Sequence, residues 1–358
     1  MSPLEEIEAN LLHQHSAGVS VTLTIDLRIQ EAASQALGLR KGAAVVLDVR
    51  TGEILAMVSK PTFDPNSLET DWPTLQFSPD KPMLNRAAQG LYPPGLVFET
   101  ITLAAVMQEG LAEPTSVFTD ELGVILAVDP PISCPADPPK TRFTLAEAYT
   151  WPCSVLFARL GLELGGERLA DYVTQLGVGR PMELPIEVAS GQVLESGVWS
   201  RLLAARTAMG QGEVLVTPLE MALVMATLGN DGIRPISRLV LSVGEKEVVP
   251  SGTPRQVLSA EVARQVQDIL SQSFDAGWVG PTANDVDMSG RAGSAESGVA
   301  GAPPHAWFVG LTPAAQPRYA FVVVVEHGYQ GWEVAAPIAA QIAAQLETQS
   351  PTAAVTGG

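Results

Sequence analysis

An α+β fold is what this sequence predicts, on three observations. Strand-type runs lie near both ends of the chain, Ala- and Leu-rich helical spacing fills the middle, and Pro and Gly punctuate the transitions. The expected architecture is an antiparallel sheet of about five strands, flanked by N- and C-terminal helices, with a mostly helical subdomain inserted. Sheet segments are expected over about 21–60 and 285–348 and the helical part over about 92–275. One domain then spans 21–348, after a leader or linker at 1–20 and before a disordered small-residue tail at 349–358.

Each element has its own warrant. Leu27 to Leu39 sets Ile29, Ala32, Ala33, Ala36 and Leu37 on one helix face, and Gly38 weakens its end. Between Ala43 and Ser59, the runs AAVVLDV and EILAMVS read as a hairpin joined at Arg50-Thr51-Gly52. Val97 to about Phe274 is helical pattern broken by Pro and Gly, and the five prolines of Pro130 to Pro139 mark an irregular surface loop. Ala306 to Leu311 and Tyr319 to Glu326 are strands separated by a turn-rich Thr312 to Pro317. Val334 to Leu346 returns to helical spacing, and no internal repeat is visible.

Composition bounds the function. With 358 residues, 46% hydrophobic and 17% charged, the chain buries a sizeable core and is too apolar for disorder. A net charge of -18 is the wrong sign for a phosphate-backbone binder, so no nucleic-acid partner is expected. The longest apolar run, Tyr319 to Val325, is far below the roughly 18 residues of a membrane span, and Met1 to Ser20 has no basic-then-apolar signal pattern. Two cysteines, Cys134 and Cys153, and four scattered histidines (His13, His15, His305, His327) supply neither a disulfide framework nor a zinc set, so no cofactor or metal is expected.

Several strings, in collinear order, carry a family likeness: VTLTIDLRIQEAASQALG, GAAVVLDVRTGEILAMVSKPTFDPN, LNRAAQGLYPPG, GQGEVLVTPLEMALVMATLGNDG, PPHAWFVGLTP and RYAFVVVVEHG. Together they cover roughly Val21 to Leu346, and the chain resembles the transpeptidase domain of class B penicillin-binding proteins, the D,D-transpeptidases that cross-link bacterial cell walls. The resemblance implies a serine nucleophile activated by a lysine one helical turn on, S-x-x-K. It also implies a Ser-x-Asn motif that completes the proton network, and a Lys-Thr-Gly edge strand that binds the substrate carboxylate.

At these positions the sequence departs from the pattern. After Tyr92-Pro93-Pro94-Gly95 the nucleophile position is Leu96, which has no lone pair to attack a carbonyl, and the base position is Glu99, opposite in charge to lysine. The second motif falls on Pro152-Cys153-Ser154, before Val155-Leu156-Phe157; proline has no side-chain donor or acceptor, and Ser154 lacks the amide of asparagine. The third falls on Arg291-Ala292-Gly293, where Arg291 keeps a positive charge, Ala292 loses the hydroxyl and Gly293 allows close backbone approach. Two look-alikes are set aside: Ser78-Pro79-Asp80-Lys81 is flanked by helix-breaking prolines, and Arg50-Thr51-Gly52 is a hairpin turn.

The resulting expectation is a catalytically inactive transpeptidase-like domain that acts by binding, with Arg291 and Gly293 as candidate ligand-binding residues. Its expected partner is a peptidoglycan stem peptide or another wall-synthesis protein. The resemblance implies the extracytoplasmic face of a bacterial membrane, reached through an anchor absent from this chain. The rival is an active D,D-transpeptidase, or a penicillin-acylated enzyme, that uses non-family residues, with Cys153 as nucleophile and Glu99 as base. Against that role, Cys153 reads as a buried inert thiol or a disulfide partner of Cys134. Glu99 is expected either to meet Arg291 in an internal ion pair or to turn to solvent or to amides at its helix start.

Overall fold

The computed structural model describes residues 18–119, 124–125, 131–133, 141–151, 153–193, 199–275 and 286–349. The expectations for the leader, the tail beyond Gln349, Pro152 and Cys134 therefore fall wholly or largely outside the described residues.

Helix α1 (Leu27–Leu37) begins where the Asp26 carboxylate accepts the Arg28 amide at 2.9 Å, and ends at Gly38, whose positive φ of 63° turns its N–H back to Ser34. Its buried residues, Ile29, Ala33, Ala36 and Leu37, are drawn from the face the spacing predicts. Strands β2 (Gly42–Asp48) and β3 (Ile54–Lys60) form the expected hairpin. Asp48 Oδ1 accepts the amides of Arg50 and Thr51, both at 2.9 Å, and a Cβ on Gly52 would lie 2.2 Å from the Ile236 carbonyl oxygen. Arg50-Thr51-Gly52 is thus turn chemistry.

The central sheet is antiparallel throughout, in the order β12 (Ser289–Ala295), β13 (His305–Thr312), β14 (Tyr319–Val325), β2, β3. Both of its faces are covered, which is why β13 and β14 are buried at every residue and read as continuous apolar runs rather than an alternation. On one face Val45, Leu47, Val309, Val322 and Val324 pack with α3 (Glu99–Gln108) and α8 (Pro218–Gly229). On the other, Ala44, Val46, Phe308, Phe321 and Val323 pack with α1 and the terminal helix α10 (Gly331–Gln349).

Between β3 and β12 run α2 (Leu68–Leu75), which buries no residue, then α3, α4 (Leu145–Thr150), α5 (Val155–Leu164), α6 (Gly166–Leu176), α7 (Arg201–Ala208), α8 and α9 (Ala260–Asp275). Helix α8 opens on a capping box at Thr217 and Glu220. The buried Glu220 carboxylate also accepts the amides of Gly179 and Gly191 at 2.9 and 2.7 Å, tying two distant loops to this helix start.

Three expectations need correction. Strand β1 (Val21–Leu23) does not belong to the main sheet: it pairs with β9 (Val240–Val243), which pairs in turn with β10 (Lys246–Glu247), so the central sheet begins at Gly42. All three β1 residues are exposed, which removes the burial that would hold them in the core. The middle of the chain is mostly helical, as expected, and also carries β8 (Ile233–Arg234) with β11 (Arg255–Gln256), β4 (Val117–Thr119) with β7 (Arg142–Thr144), and β5 (Val124–Ile125) with β6 (Ile132–Ser133); β6 corrects the expectation of a wholly irregular loop over Pro130 to Pro139. Helix α10 begins at Gly331 rather than Val334, because its first turn packs tightly on β12: a Cβ on Gly331 would lie 2.2 Å from the Gly293 carbonyl oxygen.

Candidate active site

Tyr92 to Glu99 is held from three directions. Tyr92 exchanges backbone hydrogen bonds with Val216 at 3.0 and 2.9 Å, Trp307 Nε1 donates to the Pro93 carbonyl at 3.0 Å, and the Gly95 amide donates to Gly210 at 2.8 Å. Gly95 has φ 56°, and a Cβ there would sit 2.3 Å from the Ser294 carbonyl oxygen, so glycine is required for this turn to rest on β12. One 3₁₀ turn, Gly95–Phe98, then feeds α3.

Leu96 heads that turn, half-buried, and Glu99 lies one turn on, fully buried. Strand β12 crosses directly over them: a Cβ on Gly293 would lie 3.1 Å from Leu96 Cβ and 3.0 Å from Val97. The structure thus brings the expected positions Leu96, Glu99 and Gly293 close together, and the half-buried side chain in the turn, Leu96, is hydrocarbon.

Arg291, two residues before Gly293 on the same strand face, points inward and is 3% exposed. Its Nη2 donates to Glu99 Oε2 at 3.0 Å, the internal ion pair that was one of the two expected fates of Glu99. Nη1 donates to the Tyr149 carbonyl on α4 and reaches Ser273 Oγ on α9 at 3.5 Å, while the guanidinium carbon lies 4.5 Å from the centroid of the Tyr149 ring. The Tyr149 hydroxyl and Thr100 Oγ1 share a hydrogen bond of 2.7 Å. A guanidinium so occupied is not presented to a groove, which corrects the expectation that Arg291 offers a free cation to a ligand carboxylate.

The pair is incompletely satisfied: Glu99 Oε1 and Arg291 Nε are buried without a hydrogen bond. Burial pushes the Glu99 carboxyl above its ordinary range, opposed first by the Arg291 charge and then by hydrogen-bonding from Ser154 and Arg291, though neither gives Oε1 a bond of full geometry. Burial also pushes Tyr149 up to about 12, so it is a neutral phenol at physiological pH.

Ser154 caps α5 only by backbone; its half-buried side chain makes no cap bond. Pro152 lies outside the described residues. Ala292 packs with the cluster under α10, on the sheet face away from Arg291, so the two replaced positions of β12 do separate jobs. Cys153 is buried and disulfide-bonded, which removes the thiolate a rescue nucleophile would need. Ser78 and Lys81 are in a turn closed by the Lys81 amide on the Ser78 carbonyl at 3.1 Å, not on a helix. Among the described residues no three His, Cys, Asp or Glu side chains converge as a metal set.

The sequence model of the penicillin-binding protein transpeptidase domain matches residues 42–344, most of the chain and every site position above. The chain belongs to the penicillin-binding-protein transpeptidase family. The peptidoglycan D,D-transpeptidase PbpA of Mycolicibacterium smegmatis is 33% identical over 90% of this chain and 71% of its own length. MrdA of Acinetobacter baumannii, another peptidoglycan D,D-transpeptidase, is 25% identical over 89% of this chain and 52% of its own. Among solved structures, the ceftriaxone acyl-enzyme complex of penicillin-binding protein A from M. tuberculosis superposes with a TM-score of 0.84 at 30% identity, covering 95% of this chain and 83% of that one. The D,D-transpeptidase domain of a peptidoglycan glycosyltransferase from Eggerthella lenta gives 0.83 at 30% identity, covering 98% and 89%.

Tyr149, Thr100 and Ser273 are the site residues that sequence reasoning missed. The usable signal was Arg291 itself: an arginine inside the small-residue run SGRAGSA must find acceptors when buried, although nothing in the string says which.

Proposed function

We propose that this transpeptidase-family domain serves peptidoglycan synthesis without acyl transfer, as a binding component that engages wall peptide or another wall-synthesis protein on the extracytoplasmic face of the membrane. The observation that carries the reading is the Leu96–Glu99–Arg291 arrangement. Acyl transfer needs an oxygen or sulfur at the head of the helix and a base one turn on, whereas here the first is hydrocarbon and the second is a carboxylate engaged by arginine. The disulfide at Cys153 supports an oxidising compartment, consistent with the outer face of the membrane. No described helix is long and apolar enough to cross a membrane.

The test is exchange of the terminal residue of a stem peptide, with an active D,D-transpeptidase as control. The chain is expected to show no turnover above the uncatalysed background. The Leu96→Ser, Glu99→Lys double variant is expected to stay below about one-hundredth of the control rate, because the introduced ammonium would then face Arg291 as a second buried cation and Ser154 still lacks the motif's amide. Turnover by the unmodified chain would overturn the reading.

A further inference from the structure

A concavity lies apart from the Leu96–Glu99–Arg291 site, and none of Leu96, Glu99, Ser154, Arg291 or Gly293 lines it. It holds about 590 Å³, within the range of small-molecule sites. Its walls are the loop after α6, the side chain of Leu223 on α8, the stretch from Arg234 into β9, and the turn following β10.

Its charge is unlike the rest of the molecule. In a chain of net charge -18, Arg180, Arg234 and Arg238 all line this space, against the single carboxylate Glu183. Arg238 is committed to Glu53 at 3.7 Å, Glu247 at 3.4 Å and the carbonyls of Val240, Leu241 and Val248. Glu183 is turned to the Ser251 hydroxyl. That leaves Arg180, with no acidic partner among the described residues, and Arg234, whose side chain makes one hydrogen bond among them, from Nη1 to the Gln175 carbonyl at 2.8 Å. Arg255 stands directly across the β8–β11 ladder from Arg234, a like-charge cross-strand pair that costs stability. Burial, and then the charges of Arg180 and Arg255, push Arg234 below the ordinary arginine range.

Apolar wall and cation are neighbours. A Cβ on Gly177 would meet Leu223 Cδ2 at 2.8 Å and Arg234 Cδ at 3.5 Å, so the loop touches both at one point. Ile236 and Val248 extend the apolar lining, and the buried Ser237 hydroxyl makes no hydrogen bond.

We propose that this cavity binds a small amphipathic anion, its carboxylate or phosphate-ester head between Arg180 and Arg234 and its alkyl body against Leu223, Ile236 and Val248. An anion there relieves the repulsion that Arg180 and Arg255 exert on Arg234, and an alkyl body covers the apolar lining.

The experiment is calorimetric titration with decanoate and decyl phosphate, which share the anionic head, beside decanol and inorganic phosphate, which each keep one half. The two amphipathic anions are expected to bind about tenfold or more tightly than either half-probe. Their relative affinities separate a carboxylate from a phosphate-ester preference. Arg180→Gln, at an exposed position that leaves the fold intact, and Arg234→Gln are each expected to weaken the anions about tenfold and leave decanol unchanged. Equal affinity for decanol and decanoate, no saturation by any probe, or full affinity in the Arg180→Gln, Arg234→Gln double variant would overturn the proposal. Each outcome is independent of peptide exchange at Leu96.

Discussion

Among the described residues, Arg86 and Arg291 are buried arginines each paired with a carboxylate, and the two pairs are built to different standards. Arg86, 1% exposed, donates Nε to Glu326 at 2.8 Å and its other nitrogens to the carbonyls of Lys81 and Asp80. Glu326 also accepts the Tyr92 hydroxyl at 2.9 Å and lies 3.4 Å from Lys41. Burial would raise Glu326, but the hydrogen bonds of Tyr92 and Arg86 and the charges of Arg86 and Lys41 outweigh it and hold its carboxyl below the ordinary value. Arg291 and Glu99 share one hydrogen bond, and each leaves a polar atom unsatisfied. The first pair ties Lys41 before the hairpin, Tyr92 and the end of β14 together; the second joins β12 to the start of α3. Completeness of hydrogen bonding, not the presence of opposite charges, distinguishes an anchor from a replacement.

The largest effect that would sharpen this contrast comes from Arg86→Met, which strands Glu326. Urea unfolding should show a loss of about 3–5 kcal/mol. A loss under about 1 kcal/mol would put Arg86 on the level of a surface pair. Next in size is replacement of the poorer pair by hydrocarbon: the Glu99→Leu, Arg291→Met double variant should be neutral or more stable by up to about 4 kcal/mol, whereas Glu99→Leu alone strands Arg291 and should destabilise. A double variant as damaged as the single one would show that the Arg291–Glu99 pair is also an anchor.

The smallest effect separates the pairs by the sign of their pH dependence. Glu99 holds its proton more tightly folded than unfolded, so its contribution is complete below the ordinary value of 4.5 and is lost as pH rises through the raised folded value. Glu326 behaves oppositely: its contribution is in place above 4.5 and is lost as pH falls through the lowered folded value. Relative to the unmodified chain, Glu99→Gln should flatten the decline in stability on the alkaline side of that point, and Glu326→Gln the decline on the acid side. Unfolding curves taken between about pH 3 and pH 8 check both signs.

Legibility in the sequence follows the same division. The hairpin, the paired terminal strands and the flanking helices were readable because apolar periodicity reports burial directly, as at Ile29, Ala33, Ala36 and Leu37. Strand β1 was misassigned to the main sheet since a three-residue run carries no information about its partner, here Val240–Val243. At the site, the anchors YPPG and AWFVG located Leu96, Glu99 and Arg291 along the chain and left open whether Glu99 would meet Arg291. They could not show that Arg291 turns inward, because that depends on acceptors from α3, α4 and α9 that converge only in three dimensions.

The proposed function stands or falls on Leu96, which carries no atom that can be acylated in the turn that feeds α3. The direct measurement is intact mass of the denatured chain after incubation with penicillin G, beside an active family member that acquires the adduct. An unchanged mass is expected for this chain at any exposure that fully labels the control; a stoichiometric covalent increase that survives denaturation would contradict the proposed function.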